Sequence, residues 1–255
     1  MPASAAGRAG TLSISPAIID SVLAPRSPLP AISVVNRTKY TFRIRVYPAL
    51  VHQGLDGGLI PRTRPRELRA ARRLFSLSPS GAVLEPGGSM LVHGRFIRTA
   101  GGPGAYAAAV IGATPPTAKG RIPPFRLRLL AALLIVKPGA PPPRGRIVAI
   151  RVAQVGKRHL VFRVRVRNTG KVHGYATGVR VRLVDPRGRT IFVGAPRPGV
   201  VLPRYERDLR VDLGRRLRSG TYLVRATGHF GKQAIRRATF FRILASGRIA
   251  SARPS

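Results

Sequence analysis

A chain of 255 residues with 44% hydrophobic residues can bury one or two cores, and the absence of cysteine excludes disulfides, thiolate metal sites and a cysteine nucleophile. Its 46 Lys+Arg against 8 Asp+Glu give a formal net charge of +38, which draws the chain to nucleic acid, anionic lipid or acidic polymer whatever its fold. All but six of the basic residues are arginine, a bias that, with abundant Ala, Gly and Pro, a GC-rich genome also produces.

Residues 1–10 are small and polar and read as a disordered tail. Their Ala3-Ser4-Ala5 resembles the end of a signal peptide, so the expectation is a signal whose apolar part lies upstream of Met1 and a protein outside the cytoplasm. Leu12, Ile14 and then Ile18 to Leu23 predict a strand interrupted by Pro16, as an edge strand that kinks or switches sheets would be. Ala31 to Asn36 is a short strand. Tyr40, Phe42, Ile44 and Val46 alternate with Thr41, Arg43, Arg45 and Tyr47, the period of a strand with one buried face. Residues 48–75 read as an insertion, with a turn at Gly57-Gly58 and a short basic helix from Arg66 to Phe75. Further strands follow at Leu74 to Leu77, Met90 to Phe96, Tyr106 to Ile111 and Phe125 to Val136. The last holds the longest apolar run, yet Arg128 interrupts it and it falls far short of the ~20 residues of a membrane-spanning helix.

Pro138-Gly139-Ala140-Pro141-Pro142-Pro143 makes 138–144 a stiff linker between a first domain at 11–137 and a second at 145–244. Seven strands are legible in the second: Ile147 to Val155, His159 to Asn168, Gly178 to Asp185, Thr190 to Val193, Tyr205 to Leu213, Thr221 to Phe230 and Ala234 to Leu244. Seven short strands in about 100 residues are the expectation for an immunoglobulin-like sandwich. Residues 245–255 read as a second polar tail. The predicted fold class is therefore all-β, with two tandem immunoglobulin-like β-sandwiches joined by a Pro-rich linker.

One pattern occurs twice. Asn36, the run Leu84-Glu85-Pro86-Gly87 and Gly104-Ala105-Tyr106 in the first domain match Asn168, Val201-Leu202-Pro203 and Gly220-Thr221-Tyr222 in the second. Asn36 precedes Leu84 by 48 positions and Asn168 precedes Leu202 by 34, so the first copy carries 14 extra residues. Asn36 and Asn168 are thus candidate structural residues that end a strand and satisfy turn backbone. Tyr106 and Tyr222 are two more; Tyr222 stands where such sandwiches tie a corner with a tyrosine hydroxyl, and an ordinary core tyrosine is the other reading.

With Leu12-Ser13-Ile14-Ser15-Pro16, Leu77-Ser78-Pro79 and Gly104-Ala105-Tyr106-Ala107-Ala108, these residues resemble WxL-interacting proteins of bacterial surfaces, whose first domain is itself similar to pilus-chaperone domains. The resemblance implies a first domain that binds peptidoglycan and a second that binds a protein partner. It also implies a carboxy-terminal membrane helix, from which the polar tail departs. Pilus chaperones anchor a subunit carboxylate through two basic residues, and the approximate matches here are Pro16 and Ala132; the alternation Leu127, Leu129, Ala131, Leu133 nevertheless suits such a chaperone.

Catalytic chemistry has little support. No two of His52, His93, His159, His173 and His229 stand at zinc-motif spacing, no phosphate-binding glycine loop is present, and Glu206 and Asp208 are flanked by Arg207 and Arg210 as in a salt-bridged strand. No enzyme activity, cofactor or metal is expected. In a sandwich of this kind the second strand neighbours the fifth, so outward Arg163, Arg165 and Arg167 face Glu206, Asp208 and Asp212. On the other sheet Arg180, Arg182 and Arg225 meet without an acid and form the candidate polyanion-binding set. The sequence reads as a non-enzymatic cell-envelope or secreted protein that contacts peptidoglycan or an anionic wall polymer and a surface-protein partner. The rivals are a basic nucleic-acid-binding protein, which 6% aromatic residues without tryptophan disfavour, and a periplasmic fibre-assembly chaperone.

Overall fold

The computed structural model describes residues 11–115, 127–155 and 159–252; the predicted tail at 1–10 lies outside them. Alternation of apolar and polar residues produces nineteen strands among the described residues, beside which stands one helix. In chain order they are β1 (Leu12–Ser15), β2 (Ile18–Val22), β3 (Pro28–Asn36), β4 (Phe42–Gln53), β5 (Leu59–Pro61), α1 (Pro65–Leu74), β6 (Phe75–Ser78), β7 (Gly81–Leu84), β8 (Ser89–Phe96), β9 (Gly104–Thr114) and β10 (Leu127–Val136). There follow β11 (Gly145–Val155), β12 (His159–Asn168), β13 (Gly174–Val184), β14 (Thr190–Gly194), β15 (Gly199–Val201), β16 (Glu206–Asp212), β17 (Gly220–Phe230), β18 (Gln233–Ile243) and β19 (Ile249–Ala252).

Contacts group Met1–His52 and Leu59–Gly139 into one compact unit, and Gln53–Gly58 and Ala140–Ser255 into another. The first unit has a sheet β1-β3-β8-β6 and a sheet β2-β10-β9-β4-β5, with β7 beside β4. Its core lies between inward-facing side chains such as Ile32, Val34, Phe42, Ile44, Phe75, Phe96, Ile111 and Leu133. The interruption at Pro16 is a change of sheet, since β1 pairs antiparallel with β3 while β2 pairs parallel with β10. The basic helix forms as α1, with Pro65 at its first position, where the missing N–H would have no intrahelical partner. The Glu67 carboxylate accepts from the Arg64 N–H at 3.3 Å, Arg72 and Arg73 suit the negative end of the dipole, and Ala71 and Leu74 are the buried face.

The second unit has a sheet β11-β12-β16 and a sheet β14-β13-β17-β18-β19, with β15 beside β13. Phe162 stands at its centre, 6.1 Å from Phe192 and 6.3 Å from Phe241 between ring centroids. The sequence pattern passed over two strands of this unit, as it did β5 and β7 of the first. β15 is only three residues long, too short to alternate, and β19 lies in the stretch 245–255 read as a tail, where it pairs with β18 through the Leu244–Arg248 turn. Gln53–Gly58, part of the insertion at 48–75, belongs to this unit. The buried Gln53 amide donates to the Val200 carbonyl at 2.9 Å and accepts from the Leu202 N–H at 2.8 Å, as an extra strand residue would.

Candidate functional site

The two repeated asparagines are buried and do the same work. Asn36 Nδ2 donates to the carbonyls of Tyr40 (2.7 Å), Leu84 (3.1 Å) and Glu85 (3.0 Å), and its Oδ1 accepts from the Thr38 N–H at 3.0 Å. Asn168 Nδ2 donates to Val172 and Val201 carbonyls, both at 2.8 Å, and its Oδ1 accepts from the Gly170 N–H at 2.8 Å. Both side chains close a local turn and hold it to the turn that follows a later strand. The tyrosines are not equivalent. Tyr222 faces the core, stacks on Phe241 with centroids 5.5 Å apart, and donates its hydroxyl to the Arg218 carbonyl at 3.0 Å. Tyr106 sits on β9 among outward-facing positions, because the core there takes Ala105, Ala107, Ala109 and Ile111, and its ring lies over Gly104.

On the second unit, β12 and β16 are neighbours in antiparallel register, so the expected charge ladder forms in part. Arg165 faces Asp208 and binds it through two N–H···O contacts of 2.7 and 3.0 Å. Glu206 reaches Arg165 at 3.8 Å and Arg167 at 3.9 Å. The hydrogen bond to Asp208 holds the Arg165 guanidinium above its ordinary pKa, against a smaller lowering by burial. Arg163 departs from the expectation. Its register partner is Arg210, and Asp212 pairs with Arg210 on its own strand at 2.8 Å rather than with Arg163.

The other sheet places the three candidate arginines on one outward face. Arg182 stands directly opposite Arg225, and Arg180 opposite Thr227. A fourth residue, Arg236 on β18, is the other neighbour of Thr227, so four exposed arginines frame one threonine. With strands about 4.8 Å apart, the Arg180 and Arg236 backbones are separated by roughly 10 Å. Among the described residues no carboxylate pairs with any of the four. Opposed like charges of this kind are unfavourable on their own. No three His, Cys, Asp or Glu of the described residues come together as a metal site.

A second site is a strand edge. β10 pairs with β9 along its whole length, Leu127↔Ala113 to Val136↔Gly104, whereas β2 covers only Ala132 to Val136. The stretch Leu127 to Ala131 therefore has a neighbour on one side only among the described residues. The Ala132 N–H donates to Ala17 at 2.9 Å, on the β2 side. Backbone direction alternates along a strand, so the N–H and C=O of Arg128 and Leu130 point to the same side and meet no strand there. The inward side chains of this stretch are apolar: Ala131 and Leu133 are in the core, Leu129 packs against it, and Leu127 is 38% exposed past its rim. Ala132, the match for a chaperone's basic anchor, pairs with Ile18 and is buried.

Neither a protein-family model nor a curated protein matches the chain. Among solved structures it is similar to the CsuC–CsuE chaperone–tip adhesion subunit pre-assembly complex of Acinetobacter baumannii, at 14% identity over 78% of this chain and 89% of that one, with a TM-score of 0.41. It is similar to the class 5 fimbriae chaperone CfaA at 11% identity over 89% and 98%, TM-score 0.44. It is similar to the E. coli chaperone DraB at 12% identity over 91% and 99%, TM-score 0.45. Scores of this size transfer neither ligand nor partner. The strand arrangement makes the chain an all-β protein of two immunoglobulin-like β-sandwiches.

Proposed function

We propose that the chain is a non-enzymatic, extracytoplasmic binding protein that holds a protein partner by strand addition along Leu127 to Ala131, in the manner of a fibre-assembly chaperone. The observation that carries this reading is the half-covered β10. An unpaired strand edge is a template for another chain, and natural proteins cover or charge such edges unless they use them. Here the edge offers the backbone groups of Arg128 and Leu130, and Leu127 and Leu129 provide a ledge for apolar side chains of the arriving strand. The missing basic residues at Pro16 and Ala132 mean that the partner is held by strand pairing and apolar contact rather than by a terminal carboxylate at those positions.

A proline substitution tests it. Leu130→Pro removes an N–H that faces the open side and no N–H that bonds to β9, so it leaves the fold intact. A synthetic peptide of about ten residues alternating valine and threonine binds the native protein and Leu130→Ala, and fails to bind Leu130→Pro. Equal binding to all three contradicts strand addition.

A second ligand is supported by the four arginines around Thr227. Their mutual repulsion is relieved by an anion, and a wall polymer with closely spaced phosphates or carboxylates fits a face roughly 10 Å across. This is the anionic-polymer half of the cell-envelope reading, and it needs no contact with β10.

A further inference from the structure

We propose that the strand received by β10 carries an acidic residue flanked by apolar ones, selected by a basic trough that runs across β4, β9 and β10; the proposal rests on strand addition at Leu127 to Ala131. The trough is built by register. Arg45 on β4 is opposite Gly112 on β9, and Gly112 is opposite Arg128 on β10. Arg43 lies beside them, opposite Thr114. The inward residues of these strands, Ile44, Val46, Ile111, Ala113 and Leu129, pack in or against the core, so Arg43, Arg45 and Arg128 point outward, and all three are exposed.

Gly112 leaves the middle of this row empty: a Cβ built there would have only the Arg45 carbonyl oxygen within 4 Å, at 3.9 Å. Arg43, Arg45, Tyr47, Gly112, Thr114 and Arg128 line the resulting depression of about 350 Å³. No described carboxylate forms an ion pair with any of its three arginines. Arg128 is also, with Leu130, a residue whose N–H and C=O face the open edge. A strand added there places one outward side chain directly beside the Arg128 guanidinium, extending the row Arg45, Gly112, Arg128 by one position. Its two flanking side chains turn inward beside Leu127 and Leu129. One row further on, Tyr47, Val110 and Leu130 are apolar or aromatic, so the demand for an acid is confined to the Arg128 position. The segment recognised has the form apolar–acidic–apolar.

Two alternating valine–threonine peptides that differ only in carrying glutamate or glutamine at the central outward position test this. Opposed charges across strands favour the glutamate peptide about two- to fivefold for the native protein. The preference weakens at high salt, is lost in Arg128→Gln, and is reduced in Arg45→Gln. Arg163→Gln, which removes the same charge from the second unit, retains it. Equal affinity for the two peptides in the native protein overturns the acidic preference while leaving strand addition intact. A preference that survives Arg128→Gln assigns it to diffuse net charge and overturns the proposal. Glutamate-dependent binding that persists in Leu130→Pro shows that the peptide is not paired with β10 and overturns both.

Discussion

Asn36 and Asn168 hold equivalent places in the two units, each closing its own turn with Oδ1 while Nδ2 reaches the carbonyl of a residue dozens of positions away, Leu84 for one and Val201 for the other. Two turns in each sandwich are fastened by one side chain. The two asparagines are the residues through which the sequence repeat becomes a structural repeat.

Replacing Asn168 by alanine takes the side-chain donor from the Val172 and Val201 carbonyls, and replacing Asn36 takes it from Leu84, while the Glu85 carbonyl keeps the Gly88 N–H at 2.9 Å and the Tyr40 carbonyl keeps the Thr38 hydroxyl at 3.2 Å. Such a loss costs about 1–3 kcal/mol, so Asn36→Ala and Asn168→Ala lower the urea midpoint by an amount of that order. Aspartate, which accepts but cannot donate, does not rescue either. An unchanged midpoint in both alanine variants contradicts the fastening role.

The turn between β13 and β14 gives a pH dependence with a defined sign. Asp185 Oδ1 accepts from the Arg189 and Arg187 backbone N–H groups, both at 2.9 Å, and Oδ2 faces the Arg189 guanidinium at 2.9 Å. The Arg189 backbone bond is the main cause that holds the carboxyl below its ordinary pKa. Its stabilisation is complete above the unfolded value of about 3.9 and is lost as pH falls through the lower folded value. The free energy of unfolding measured from pH 5 down to 2 falls less steeply for Asp185→Asn than for the native protein; parallel curves refute the assignment.

The arginines of the second unit separate by partner. Reversal of Arg180, Arg182 and Arg225 to glutamate weakens binding to an anionic wall polymer and flattens its salt dependence, because fewer contacts remain to be screened. Arg165→Gln strands Asp208 and lowers stability by about 1 kcal/mol, whereas Arg163→Gln, which has no carboxylate opposite, leaves stability unchanged. Equal loss of polymer binding from Arg163 and Arg165 reversals would assign the attraction to net charge.

The longer strands, the change of sheet at Pro16, the helix read at Arg66 to Phe75 and found at Pro65–Leu74, and the repeat were legible because alternation, proline and turn residues act locally. Register is not local. Arg163 was expected beside an acid, yet the pairing Arg165↔Asp208 puts Arg210 opposite it. Arg236 escaped notice because only the tight β17–β18 turn brings it to Thr227. Tyr106 and Tyr222 share a motif but face opposite sides of their sheets, since the core parity of β9 follows its alanines. The trough across Gly112 had the same obstacle: β4, distant in sequence, meets β9 and β10 there, and the signal is an absent side chain.

The most direct measurement is backbone amide hydrogen exchange along β10, with and without the valine–threonine peptide. The N–H groups of Leu129 and Ala131 bond to β9 and are protected from the start, while those of Arg128 and Leu130 exchange freely. Strand addition predicts that the peptide slows Arg128 and Leu130 alone, giving an alternating pattern from Leu127 to Ala131. Exchange at Arg128 and Leu130 that stays fast at saturating peptide contradicts it.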